Sequence, residues 1–131
     1  MRGAINRFWA HALVVFAAHN AEESIAIANG WTARHWREMS WTAQKWPLFA
    51  SAAAALTLFV ALIAWNLRRR PERSARGLRV FLSIMLLNAC WHVGVSVYTR
   101  SLAPGVVTAV LLIFPIFTIL LFRLPRAGLD T

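Results

Sequence analysis

The stretch LFASAAAALTLFVALIAWNL, residues 48–67, has only Ser51, Thr57 and Asn66 as polar interruptions. At about 1.5 Å per residue, a helix of this length covers the roughly 30 Å hydrocarbon core of a bilayer. Pro47 stands just before it and suits a first helical turn, where its missing N–H leaves no bond unmade. Residues 47–67 therefore read as a membrane helix.

Three further apolar blocks flank it. The first runs over 8–28 and stops at Asn29-Gly30, a common helix C-terminal punctuation. The others run over 78–98 and 104–122, and Pro115 inside the last is expected to kink that helix without ending it. The chain is 59% hydrophobic against roughly 45–50% in soluble domains, an excess that lipid can solvate and a small soluble core cannot. The expected architecture is an all-α polytopic membrane bundle of about four helices, a single domain over residues 1–131. An interfacial segment 29–46, a basic loop 68–77 and a short tail 123–131 complete it.

The net charge of +9 argues orientation, not nucleic acid, because no base-stacking or groove-reading element accompanies it. Six of the fourteen basic residues lie between Arg68 and Arg79. With the N-terminus inside, the inner segments carry ten Arg residues. The outer segments then carry four basic residues, namely Arg34, Arg37, Lys45 and Arg100. The positive-inside rule then favours both termini in the cytoplasm. The expected location is a multi-pass protein of a bacterial inner (plasma) membrane, with membrane lipid as its standing partner and no nucleic acid. The single cysteine, Cys90, excludes an internal disulfide and reads as a small packing residue.

Trp31, Trp36, Trp41 and Trp46 recur every five residues, which does not hold them on one helical face. Indoles at headgroup depth explain them more simply than a cap gating the outer mouth. The N-terminal 24 residues faintly resemble a cleavable signal peptide. However, no small-x-small site precedes the glutamates, and apolar sequence resumes after them.

The first block contains His19, Glu22 and Glu23 near its midpoint. Glu22 falls about 60° to one side of His19 and Glu23 about 40° to the other, so the three fan over one arc. An acidic residue at bilayer centre costs on the order of 2.5–3.5 kcal/mol on insertion scales, so a proton, a cation or a metal is needed beside this pair. The third block offers Asn88 and His92, four apart on one face and at a matching depth if the first and third helices run parallel. Two imidazoles with carboxylates suit zinc, iron or manganese better than calcium or magnesium. A metal-free proton relay and a purely structural polar network are the alternatives. His11 reads as an interhelical contact, and His35 as solvated at the interface. Arg100 reads as an interface anchor or as a clamp for an anionic headgroup. Beyond it, Pro104-Gly105 opens the next helix.

Three motifs carry a resemblance. His19-x-x-Glu22-Glu23, Asn88-Ala-Cys-Trp-His92 and Pro104-Gly105-Val-Val-Thr108 occur in this order. Together they resemble the signatures of the HXXEE family of prokaryotic integral membrane proteins. Leu102 stands where that family's pattern has a tyrosine, and Tyr98 lies four residues earlier. The resemblance implies a compact helical membrane protein whose motifs gather in one site, to which Pro104, Gly105 and Thr108 would then belong. It names no reaction. The expected function is a metal-dependent membrane enzyme acting on a lipid or other apolar substrate. His19, Glu22, Glu23 and His92 would be ligands, Glu22 or Glu23 the general base, and Asn88 a ligand or substrate orienter. The alternatives are a proton-coupled transporter subunit, which four helices could form only as a homo-oligomer, and a non-catalytic assembly protein.

Overall fold

The computed structural model describes residues 2–124, and all of its regular structure there is helical. Helix α1 spans Arg2–Ala28, α2 spans Trp31–His35, and a 3₁₀ segment follows at Arg37–Thr42. Helix α3 spans Trp46–Leu67 and α4 spans Pro71–Thr99. The last helix, α5, spans Val106–Arg123, and its middle, Ala109–Phe117, is wound as π-helix. Helices α3, α4 and α5 are long and apolar enough to cross a membrane. Helix α1 is as long as they are, with 27 residues, but its polar cluster dilutes its apolar character.

Two boundaries differ from the sequence reading. The basic stretch 68–77 is a loop only over 68–70. Pro71 takes a first-turn position of α4, so Arg73, Arg76 and Arg79 line a helix. Likewise α1 begins well before Phe8, because residues 2–7 hold no proline and only Gly3 to disfavour a helix. Residues 125–131 of the expected tail lie outside the described residues.

The core is built from regular seams. In α1 the buried positions Ile5, Trp9, Ala12, Phe16 and His19 step by four, three, four and three. In α4 the positions Leu78, Leu82, Met85, Ala89 and His92 step in the same rhythm. In α5 the inward positions are Ala109, Ile113, Phe117 and Leu120. Such spacing keeps each row on the inner face of its helix, as in coiled-coil packing. Helix α3 adds only Ala64 to the buried core, with Val60 packed beside it, and otherwise lies on the outer side of α1. In lipid, apolar burial gives little drive to associate, so close packing and interhelical hydrogen bonds hold the bundle. Trp9 Nε1 donates to Ser74 Oγ over 3.0 Å between α1 and α4, and Asn20 Nδ2 donates to Thr57 Oγ1 over 2.8 Å between α1 and α3.

The Pro115 ring would press on the carbonyl four residues earlier in a standard helix, and the wider π winding of Ala109–Phe117 relieves that contact. The Trp31–Trp46 segment folds on itself. Trp31 is buried, stacked 4.2 Å from the His35 ring, and Thr32 and Thr42 share a hydroxyl hydrogen bond. Trp41 and Trp46 remain exposed. His35 is thus held by Trp31, and its Nδ1 lies 2.8 Å from the Trp31 carbonyl oxygen.

Candidate metal centre

The two inner seams of α1 and α4 end in polar residues at the same level. His19 continues the row of Ile5, Trp9 and Phe16, and His92 continues that of Leu82, Met85 and Ala89. The geometry that packs apolar side chains below therefore turns two imidazoles toward each other above. Their ring centroids stand 4.8 Å apart at 78°. Glu23, one helical turn beyond His19, enters the same space. Its Oε1 lies 3.1 Å from His92 Nε2 and 3.8 Å from His19 Nε2. One donor atom from each of the three residues lies within 4.8 Å of the other two.

His92 Nε2 is buried, and despite its short distance to Glu23 it makes no hydrogen bond. The carboxylate oxygen sits off the axis along which a ring N–H would point. A bare nitrogen there would set its lone pair against those of the carboxylate, a cost that a proton or a cation shared by the two groups would remove. The donor set of two imidazoles and one carboxylate is that of many zinc and non-haem iron sites with open positions for water or substrate. Tetrahedral bonds of about 2.0–2.2 Å set donors about 3.4 Å apart, which the 3.1 Å between Glu23 and His92 already meets, so only His19 would have to draw closer. His19 is 1% exposed, whereas the Glu23 side chain is 31% exposed, so the carboxylate is the accessible side of the cluster.

The two glutamates part company. Glu22, expected as a ligand or general base, has both oxygens occupied. Oε1 accepts the Val107 N–H over 3.0 Å and Oε2 accepts the Thr108 N–H over 2.7 Å. The unbonded amides at a helix start attract a carboxylate, and Glu22 from α1 caps α5 in this way.

The third motif closes over the site. Gly105 has φ of 79°, a conformation that suits glycine. A Cβ there would stand 2.5 Å from His19 Cε1 and 3.1 Å from Glu23 Cγ. The backbone thus passes directly over the cluster, which explains the glycine of the Pro104-Gly105 pair. Thr108 Oγ1 lies 2.8 Å from His19 Nδ1 and donates to the Gly105 carbonyl over 3.1 Å. On the far side of the ring, Asn88 Nδ2 donates to His19 Nε2 over 3.1 Å.

Of the residues singled out by sequence, His19, Glu23, His92, Asn88, Gly105 and Thr108 meet at the cluster, and Glu22 braces it. Arg100 does not join them. It is exposed, left-handed with φ of 51°, and its N–H caps the end of α4. His11 contacts its own helix, with Nδ1 2.6 Å from the Arg7 carbonyl oxygen, so it is no interhelical link. Cys90 is exposed on α4 and not packed in the core, and Tyr98 is exposed too. Asn20 escaped the sequence reading. As an amide beside His19 within an apolar block it carried the same signal as Asn88, but it faces α3 and not the cluster.

No curated protein and no solved structure matches the chain. A family model described as a protein of unknown function with HXXEE motif matches residues 10–120, and all three motifs that converge on the cluster fall within that match. The chain belongs to the HXXEE family.

Proposed function

We propose that this protein is a metal-dependent enzyme of the membrane, with His19, Glu23 and His92 binding a divalent ion. Zinc, iron or manganese fits the donor chemistry. The observation that carries the reading is His92 Nε2, buried and unpartnered 3.1 Å from the Glu23 carboxylate. A bound ion would neutralise a carboxylate that is otherwise costly within the membrane, and it would supply Lewis-acid polarisation for hydrolysis or isomerisation. Glu23, the more exposed member of the cluster, would be the group that substrate reaches, and Asn88 would orient substrate once an ion had replaced its amide at His19 Nε2. A lipid or another apolar molecule is the substrate class. A groove of about 370 Å³ between α1 and α5, lined by Ala10, His11, Val14, Val15, Ala18, Leu112 and Ile116, is almost wholly apolar.

The test is elemental analysis of protein purified in mild detergent, beside Glu23→Gln and His92→Ala. Wild type is expected to hold one ion per chain and each variant well under a tenth of that. Stoichiometric metal in both variants, or none in a wild type reconstituted with each of the three ions, overturns the assignment. Lipid that co-purifies with wild type identifies candidate substrates.

A further inference from the structure

We infer that the adjacent glutamates have divided labour, with Glu22 and Thr108 acting as positioning residues that fix which nitrogen of His19 faces the cluster. The inference rests on the metal-site reading for its purpose but not for its geometry. Two observations set the tautomer. With the Gly105 carbonyl as an acceptor for its proton, the Thr108 hydroxyl is left with a lone pair toward His19, which matches a proton on Nδ1. At the other side Asn88 Nδ2 donates to Nε2, so in the metal-free site Nε2 is the bare nitrogen, whose lone pair an ion would take over from Asn88. Nε2 is also the His19 nitrogen that stands 3.8 Å from Glu23 Oε1.

Thr108 can do this only if α5 starts at the right height and angle. Glu22 fixes that start by holding the Val107 and Thr108 N–H groups with its two oxygens. His19 and Glu22, three residues apart on α1, thus grip one turn of α5, one through a side-chain hydroxyl and the other through the backbone. Second-sphere hydrogen bonds of this kind commonly alter metal affinity 10- to 100-fold, because they fix both ring orientation and tautomer. Glu22 is therefore needed as a carboxylate that accepts two N–H bonds. A glutamine can accept at one oxygen only and sets its NH₂ against the other amide.

The experiment reads the His19 ring directly. ¹⁵N spectra of histidine-labelled, metal-free protein in lipid are expected to show His19 as the Nδ1–H tautomer. Thr108→Val should convert it to Nε2–H or a mixture, and Thr108→Ser should restore the wild-type signature. Zinc affinity by competition titration should fall 10- to 100-fold in Thr108→Val and in Glu22→Gln, and stay within threefold of wild type in Thr108→Ser. An Nε2–H signal in wild type, or an unchanged signal in a folded Thr108→Val, overturns the inference. Should Thr108→Val fail to fold, the wild-type and Thr108→Ser spectra still decide it. A wild type that is Nδ1–H yet binds no metal would sink the metal reading and leave the positioning roles standing.

Discussion

At the scale of single residues, Gly105 is the most exacting position in the chain. Its left-handed φ alone would cost another residue on the order of 1–3 kcal/mol, and a Cβ 2.5 Å from His19 Cε1 adds a clash that backbone cannot relieve. Gly105→Ala is therefore expected to lower stability by at least about 1–3 kcal/mol in denaturant titrations of detergent-solubilised protein, and to weaken zinc binding by displacing the ring. This residue also marks how far sequence reaches. Spacing puts His19, Glu22 and Glu23 on one arc and pairs Asn88 with His92, and those faces do meet. Spacing could not separate Glu22 from Glu23, because they flank His19 almost symmetrically. What separates them is the start of α5, 85 residues later in the chain.

At the scale of elements, the apolar blocks gave the helices, while their ends followed subtler chemistry. Pro71 starts α4 inside a run of arginines that reads as a loop on charge alone. Periodicity could not announce the π winding of α5 either, since Pro115 signals a disturbance without stating its form. The polar ties between helices make a second prediction. Thr57→Val removes the partner of Asn20 and should destabilise the α1–α3 pairing by about 0.6 kcal/mol, up to about 1.7, in a steric-trap or unfolding assay. The cost should be independent of metal, because Asn20 points away from the cluster. The arrangement of α3 on the outer side of α1 was not legible, since its uniform apolar character shows no inner face.

At the scale of the molecule, three helices carry enough apolar sequence to cross a bilayer, and α1 completes a four-helix count only with its polar cluster neutralised. Four crossings with both termini inside predict a labelling pattern. In a Cys90→Ser background, Arg34→Cys should react with a membrane-impermeant thiol reagent from outside, whereas Gly3→Cys and Arg69→Cys should react only after permeabilisation. External labelling of Gly3→Cys with protection of Arg69→Cys would mean that α1 does not cross.

The grip of α1 on α5 also has a consequence for how the protein is made. The groups that satisfy His19 and Glu22 lie 69 to 89 residues further along the chain. During synthesis α1 leaves the ribosome first, carrying two carboxylates that have nowhere to go in lipid. If α1 crosses the bilayer, its stable insertion would depend on protonation or on the arrival of α4 and α5 beside it. A nascent chain interrupted before residue 104 would present unmet acids within the membrane, which distinguishes an unfinished molecule from a complete one. The same contacts that shape the cluster would thus tie the insertion of α1 to the delivery of α5.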